Sequence, residues 1–576
     1  MLSLLTTIYG DTVGRQTLVR VEQLMAAYRE QLPAASERTL SARDAVLITY
    51  ADQVQQAGQP HLATLTQFCC RYLQGVVSTI HLLPFYPYSS DDGFSVIDYQ
   101  TVRPDLGDWS DVARLDESFR LMFDAVINHI SAESDWFQGF IANEPRYRDY
   151  FTVVAPDTDL SAVFRPRALP LLSEVETAVG HQHVWTTFSP DQIDLNYRNP
   201  DVLLEVLDTL LFYVSQGAEL IRLDAIAFMW KEIGTSCIHL PQTHALIQVM
   251  RAVLDEVAPQ VSLITETNVP HEENISYFGN GRNEAQLVYN FSLPPLTLHT
   301  FHEADTTILS KWADGLTLPG QRTAFFNFLA SHDGIGLTPA RGILSEAAIN
   351  ALAERVTALG GFVSYRSQPD GSQTPYELNI NYLDALSVPG AVENDELRLR
   401  RFMAAQAIML ALRGLPGIYF HSLFGSRSWP EGVAETGRNR SINRQKLGQS
   451  ALVADLESPH ALRRRVYDAY CHLLRRRGSL AAFDPTAAQR VLFLDPSLFA
   501  LLRVGDNGRS VALCLHNVTN RPQSVTVDLQ PLDLADTNDW GDLVAGGAYG
   551  VENGRFLPLK LEPYQVLWLI PDGSNP

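Results

Sequence analysis

Eight short apolar runs that alternate with helical patterns constrain the fold of this chain more than any other feature. Apolar side chains recur three and four residues apart over residues 200–214, 243–257 and 396–412, as in helices that bury one face. Strands separated by helices predict a closed (β/α)8 barrel. The strands are predicted at residues 45–50, 77–83, 121–127, 219–224, 263–267, 286–291, 324–330 and 417–421.

Other segments predict additions to this barrel. Residues 15–38 have helical spacing, and residues 345–359 predict a helix that precedes a turn-rich loop at 367–372. Short alternating strands at residues 491–494, 498–504, 510–516, 524–529 and 565–569 predict an antiparallel β domain. In chain order, the predicted organisation is an N-terminal helical extension 1–44, barrel 45–130, a small insertion domain 131–185, barrel 186–340, a second insertion 341–392, barrel 393–480 and a C-terminal β domain 481–576.

Charge and cysteine content exclude several classes of protein. In 576 residues, 65 acidic and 44 basic side chains give a net charge of −21, which disfavours nucleic acid and anionic lipid as partners. The five cysteines are odd in number and form no Cys-x-x-Cys pair, as expected of reduced thiols. Neither a secretory signal nor a membrane span is recognisable, so a cytoplasmic location is expected.

Three acids follow predicted strands and indicate an active site. Asp224 ends one strand two residues after Arg222, Glu266 lies in the next, and Asp333 follows the seventh. Side chains alternate along a strand, so Arg222 shares a face with Asp224 and is expected to hold it ionised. Strand ends meet at one mouth of a barrel. Two working carboxylates are what glycoside cleavage requires, and no metal cluster is evident.

The chain resembles the α-amylase superfamily, family 13 of the glycoside hydrolases, from about residue 45 onward. Five short motifs occur in the family's order. They are Asp124 to His129, Gln192 to Asn196, Arg222 to Asp224, Glu266, and His332-Asp333. The resemblance implies the same barrel, with Asp224 as nucleophile, Glu266 as acid/base and Asp333 as a ligand of sugar hydroxyls.

Within that superfamily, the chain is most similar to sucrose phosphorylase and its relatives. The residues that carry this resemblance include 81–87, 91–94, 164–167, 231–237, 293–299 and 332–336. They imply a retaining enzyme that acts on an α-glucoside with inorganic phosphate as co-substrate and without a cofactor. The long N-terminus, Met229-Trp230 and Gln445-Lys446-Leu447 depart from sucrose phosphorylases and resemble the glucosylglycerate phosphorylase branch.

The same resemblance implies a set of sugar-binding residues. His129 and His332 are expected to donate to sugar hydroxyls, and Phe94 to offer a ring face. Asp91 is expected to pair with Arg440, grip the distal hydroxyls of glucose and close the pocket behind a single glucosyl unit.

An anionic acceptor needs cations near the glucosyl carbon. Arg165 and Arg167 are candidates because guanidinium groups grip phosphate in a bidentate fork, and Lys231 is a third. The same cluster could bind the carboxylate of glycerate. The alternatives are a sucrose or sucrose 6′-phosphate phosphorylase, an α-glucosidase or transglucosidase, and a non-catalytic amylase-like binding protein. A homodimer is possible.

Overall fold

Eight parallel strands close into a barrel in the computed structural model, which describes residues 1–167, 169–367, 372–506, 508–534 and 539–572. Most strand residues are fully buried, which explains why these runs are continuously apolar rather than alternating. The strands are β1 Val46–Thr49, β2 Thr79–Leu82, β3 Arg120–Ala125, β4 Ala218–Leu223, β5 Ser262–Thr265, β6 Leu287–Tyr289, β7 Ala324–Asn327 and β8 Leu415–Tyr419.

The strands follow one another around the barrel in chain order, and β1 closes it by pairing with both β8 and β2. Val46 is the partner of Gly417 on one side and of Thr79 on the other. All eight predicted strands are confirmed, although their ends differ by up to three residues from the predicted ones and most are shorter. The fourth, for example, ends at Leu223 because Ala225 adopts a left-handed conformation, with φ 50°, that no strand tolerates.

Helices cover the outside of the barrel, as the apolar spacing predicts. The one at Pro200–Ser215 begins where the Asn199 side chain accepts from the Asp201 amide, with Pro200 in the first turn. It buries Val202, Val206 and Leu210 against the strands. The others are His61–Tyr72, Trp109–Asp116, Pro241–Val257, His271–Ile275, Leu293–Glu303, Thr307–Asp314, Asp395–Ala411, Phe420–Leu423, Pro430–Thr436, Gln449–Glu457 and Leu462–Gly478.

The N-terminal extension is two helices, Leu2–Tyr9 and Asp11–Arg29, rather than one helix at 15–38. Gly10, with φ 78°, makes the break between them. The Tyr9 hydroxyl donates to the Tyr197 carbonyl at 3.0 Å, which joins the extension to the barrel at the start of the helix Pro200–Ser215.

Both insertions contribute strands next to the barrel mouth. In the first, His129–Ser131 pairs with Gln192–Asp194, and a helix Asp135–Ile141 precedes the hairpin Leu172–Thr177 and Gly180–Trp185. The second has a helix Glu346–Ala358 and a sheet of Ile335–Gly336, Phe362–Ser367 and Gln373–Asn379, with a helix Tyr382–Ala385 after it. Residues 368–371 of the predicted turn-rich loop lie outside the described residues.

The C-terminal domain is antiparallel, as predicted, and its described residues form three strands that were not predicted. They are Asp539–Asp542, Ala548–Gly550 and Phe556–Leu561, which are short or interrupted by Gly and Pro. The remaining strands are Ala488–Asp495, Leu498–Val504, Val511–Asn517, Gln523–Asp528 and Val566–Pro571. Among the described residues, no helix combines the length and apolar character needed to cross a membrane.

One buried guanidinium joins three parts of the chain. Arg477, at the end of the helix Leu462–Gly478, is 1% exposed, and burial lowers its pKa to about 10. Its nitrogens donate to backbone carbonyls before β1, before β8 and at the start of the C-terminal domain. The acceptors are Ala42 at 2.5 Å, Asp44 at 3.3 Å, Leu410 at 3.1 Å, Gly414 at 3.1 Å and Phe483 at 3.0 Å.

We predict that Arg477→Met destabilises the protein by about 3 kcal/mol or more, because several buried carbonyls lose their donor at once. Arg476→Met is the matched control, since Arg476 is exposed on the same helix and should cost less than about 0.5 kcal/mol. Thermal unfolding followed by circular dichroism compares the two. Equal midpoints for both variants would contradict the prediction.

Candidate active site

A pocket opens at the carboxyl ends of the barrel strands, and nine of the twelve predicted site residues line it. They are Asp91, Phe94, His129, Arg167, Asp224, Glu266, His332, Asp333 and Arg440. Arg222 lies directly behind them. Arg165 and Lys231 are not part of the lining. The remaining lining residues include Phe164, Phe188, Gln192, Phe228, Asn268 and Tyr376.

Strand β4 delivers Arg222 and Asp224 on one face, as their spacing predicts. Nη1 of Arg222 lies 2.8 Å from Oδ1 of Asp224 and also contacts Asp124 on the neighbouring β3. The left-handed turn at Ala225 points its amide toward β5, where it donates to Oε2 of Glu266 at 3.1 Å. Nη2 of Arg222 is 3.9 Å from the same oxygen of Glu266. One guanidinium therefore faces both catalytic carboxyl groups.

Burial dominates the titration of these two carboxyl groups. It raises the pKa of Asp224 well above its ordinary value and also raises the pKa of Glu266, while Arg222 opposes both shifts. Arg222 lowers the pKa of Asp224, as expected, but burial outweighs the guanidinium and the net shift is upward. The two acids repel each other's charge, so together they tend to hold one proton. Asp224 makes the shorter contact with Arg222, so we assign the proton to Glu266.

Asp333 lies in the opposite environment. Burial alone would raise the pKa of Asp333. Arg440, His332 and Arg444 outweigh burial and bring this pKa below its ordinary range. His332 Nε2 is 3.4 Å from Oδ2 of Asp333, and its ring stacks on Phe94 with centroids 4.7 Å apart. Burial lowers the pKa of His332 to about 3, so the imidazole is neutral and has one N–H to donate.

His129 occupies the other side of the pocket. Its Nε2 lies 2.9 Å from the Phe94 carbonyl oxygen and 3.3 Å from the Gln192 amide nitrogen. Burial lowers the pKa of His129, so this imidazole is neutral as well. Both predicted histidines therefore border the space where a sugar would lie.

The predicted ion pair between Asp91 and Arg440 is not formed. Arg440 contacts Asp333 and donates to both oxygens of Glu377, at 3.1 Å and 2.6 Å. A buried carboxylate from the second insertion thus captures this arginine. Asp91 faces Arg167 instead, with Oδ2 and Nη2 3.5 Å apart. Burial alone would raise the pKa of Asp91, but Arg167 and other nearby arginines lower it below its ordinary value.

The three cations proposed for an anionic acceptor lie in different places. Arg167 lines the pocket, with its guanidinium carbon 5.5 Å from the centre of the Phe188 ring. Arg165 is exposed. Lys231 is buried, and its Nζ lies 2.6 Å from Asp194 and 3.2 Å from Asn128. A role for Lys231 in binding phosphate is therefore contradicted, because a buried carboxylate neutralises its charge.

Sequence reasoning missed several contributors to the site. Asp124 was part of a recognised motif, but its two partners, Arg222 and His81 at 2.7 Å, were not apparent. Arg444 contacts Asp92 and donates to the His332 carbonyl at 2.8 Å. Arg444 directly precedes the segment Gln445-Lys446-Leu447 that the sequence analysis singled out, so the sequence did offer a signal for it. Glu377 gave none, because its role depends on how the second insertion folds back.

The barrel and the three acids at its mouth define a class of protein that cleaves or transfers glycosides. Comparisons with known proteins agree. The family model described as the alpha-amylase catalytic domain matches residues 69–334. A glucosylglycerate phosphorylase of Spirochaeta thermophila is 50% identical over 581 residues, 99% of this chain and 98% of that protein. The Escherichia coli glucosylglycerate phosphorylase is 44% identical, covering 98% of each chain.

More distant relatives extend this picture. A sucrose phosphorylase of Agrobacterium vitis is 31% identical over 76% of this chain and 88% of that protein. Among solved structures, the sucrose 6F-phosphate phosphorylase from Thermoanaerobacter thermosaccharolyticum superposes with a TM-score of 0.72 at 23% identity, over 88% of this chain and 98% of that one. The chain belongs to the α-amylase superfamily and, within it, to the sucrose phosphorylase-like group on the glucosylglycerate phosphorylase branch.

We predict that Lys231→Met lowers stability by about 3–5 kcal/mol, because it leaves the Asp194 carboxylate buried without its counter-charge. Lys311→Met, at an exposed position of the barrel helix Thr307–Asp314, is the control and should leave the unfolding midpoint almost unchanged. Thermal unfolding of both variants measures the difference. A Lys231→Met protein as stable as the control would show that the ion pair contributes nothing to the fold.

Proposed function

We propose that the protein phosphorolyses 2-O-α-glucosylglycerate, reversibly, to α-glucose 1-phosphate and glycerate with retention of configuration. The observation that carries this proposal is the Asp224–Glu266 pair, whose members face one guanidinium and line the pocket at the barrel mouth. The choice of glucosylglycerate as substrate is supported by the relatives named glucosylglycerate phosphorylase, which match this chain over nearly its full length. The sucrose phosphorylase of Agrobacterium vitis is less similar and covers less of the chain.

In the first step, a carboxylate oxygen of Asp224 attacks the anomeric carbon and forms a glucosyl ester. The bond between that carbon and the glycerate oxygen breaks, and Glu266 donates its proton to the departing oxygen. Glu266 holds the proton that the pair shares, because Asp224 makes the shorter contact with Arg222 and is the member stabilised as a carboxylate. The ester forms on the face opposite the leaving group, so the configuration is inverted once.

In the second step, an oxygen of phosphate attacks the same carbon and the ester bond to Asp224 breaks. Glu266, now ionised, accepts the proton that the phosphate gives up, which restores the starting enzyme. A second inversion returns the α configuration. The carboxyl groups of such a pair are expected about 5–5.5 Å apart. We propose phosphate as co-substrate and no cofactor, because these two groups account for every bond and proton.

The remaining pocket residues would bind the glucosyl unit. Asp333 is ionised and accepts hydrogen bonds from sugar hydroxyls, while the neutral His332 donates one. The contacts of Arg440 with Glu377 and of Arg444 with Asp92 close the pocket behind a single sugar. Such a closed end suits one glucosyl unit rather than a polysaccharide.

Arg167 would bind phosphate when glucosylglycerate is cleaved, and the glycerate carboxylate when the reaction runs in reverse. It lines the pocket, and its contact with Asp91 is long enough to leave its fork free for a bidentate anion. We also propose a cytoplasmic location, which suits the five free cysteines. A homodimer remains a prediction.

We predict that Glu266→Gln lowers turnover of glucosylglycerate by about 10²–10⁴-fold while α-glucosyl fluoride still reacts, since fluoride leaves without a proton. In the wild type, activity on glucosylglycerate should fall as the pH rises through the raised pKa of Glu266. This fall in activity at high pH should be absent when the Glu266→Gln variant reacts with α-glucosyl fluoride. Glu272→Gln, an exposed neighbour, is the control. Equal loss with both donors would remove Glu266 from the acid/base role.

We predict that D-glycerate is a better acceptor than fructose in reactions that start from glucose 1-phosphate, as phosphate release would measure. Arg167→Gln should raise the KM for phosphate and for glycerate by about tenfold to a hundredfold, the worth of one charge-assisted contact. Arg165→Gln, two residues away but exposed, is the control and should stay within about twofold. A preference for fructose would favour a sucrose phosphorylase, and equal effects of the two variants would exclude a specific Arg167 contact.

A further inference from the structure

A carboxylate outside the pocket lining binds a cluster of serine hydroxyls. Asp191 precedes the short strand Gln192–Asp194 in the first insertion, and it is half-buried. It accepts hydrogen bonds from Ser89 at 2.6 Å and Ser95 at 2.7 Å, and also from Ser90. Its other oxygen accepts from Ser131 at 3.4 Å and from the Ala132 amide at 3.3 Å. The chemistry proposed above uses none of these contacts.

The bound serines enclose a loop that shapes the glucose site. Ser89 and Ser90 precede Asp91, and Ser95 follows Phe94, so Asp191 holds both ends of the segment that carries Asp91 and Phe94 into the pocket. The backbone amide of Ser89 also donates to the Ser95 carbonyl at 3.1 Å. The loop is therefore closed on itself at its two ends, where Asp191 binds it, while the Gln192 amide donates to the Phe94 carbonyl oxygen at 2.9 Å in its middle.

This loop has a backbone that would not persist without support. Asp91 and Asp92 both have φ 53°, in the left-handed region that residues with a β-carbon seldom occupy. Each such residue costs on the order of 1–3 kcal/mol and persists only where surrounding contacts determine it. The strained conformation places Asp91 toward Arg167 and Asp92 toward Arg444.

The hydrogen-bonding capacity of a carboxylate matches this task. An ionised carboxylate accepts at both oxygens and has no donor, so several hydroxyls can point at it at once. Burial opposes ionisation, but the serine donors lower the pKa of Asp191 below its ordinary value. An asparagine in its place would present an NH2 group to serine oxygens that now act as donors.

We propose that Asp191 is a positioning residue that holds the segment from Ser89 to Ser95 in the conformation that binds glucose. The inference rests on the proposed function, because it assumes that Asp91 and Phe94 contact the glucosyl unit. Asp191 itself touches no substrate. Its effect should therefore appear in the affinity for the sugar and depend on Asp91.

The test compares Asp191→Ala and Asp191→Asn with the wild type, measuring KM for glucose 1-phosphate at saturating glycerate and the inhibition constant of glucose. We expect both constants to rise at least tenfold in Asp191→Ala and by less in Asp191→Asn, while kcat changes severalfold at most. Asp157→Asn, an exposed acid of the same insertion, is the matched control and should change neither constant. A lower unfolding midpoint with unchanged sugar constants would mean a purely structural role and overturn the inference.

A double-mutant cycle with Asp91→Ala tests the proposed route. If Asp191 acts by placing Asp91, Asp191→Ala should raise the glucose constant far less in the Asp91→Ala background than in the wild type. If the two substitutions raise the glucose constant by independent factors that multiply in the double variant, the inference is overturned. A wild type that forms no glucose 1-phosphate from glucosylglycerate and phosphate would refute the proposed function instead, so the two failures are distinguishable.

Discussion

The buried guanidinium of Arg222 is the interaction on which the active site depends. It is 1% exposed and contacts Asp124 and Asp224, with Glu266 at 3.9 Å. One positive charge cannot balance three buried negative charges, and the cost of an unpaired charge at this depth is several kcal/mol. At least one of the three acids must therefore keep a proton. Because Asp124 also binds His81, the choice falls on the catalytic pair, which supplies the general acid that glycoside cleavage requires.

A second set of ion pairs separates the third acid from this balance. Arg440 and Arg444 both lie beside Asp333 and keep it ionised, whereas Glu266 must be neutral. Two acids in one pocket thus have opposite pKa shifts, which is how a single site holds an acid and an anionic ligand of the sugar together. The second insertion takes part through Glu377, which fixes the orientation of Arg440.

The fold and the acids at the strand ends could be predicted because both are encoded locally. A strand buried on both faces is apolar along its length, and the residue at its end lies at the barrel mouth whatever the loops do. The ion-pair partner of a side chain is harder to predict, because it depends on which distant segments of the chain meet in the fold. Asp91 was matched with the wrong arginine because Glu377, on the second insertion, binds Arg440 instead. Lys231 was misassigned for the same reason, as its counter-ion Asp194 lies on another segment.

The net charge of −21 gives the arginines of the pocket their importance. An anionic substrate meets an unfavourable field at this protein and needs a cation that is not already neutralised. Among the described residues that line the pocket, Arg167 and Arg440 are the charged bases, since burial keeps His129 and His332 neutral. Arg440 is held by two carboxylates at short range, whereas Arg167 has only the 3.5 Å contact with Asp91. The positive charge available to phosphate or a carboxylate is therefore concentrated at Arg167.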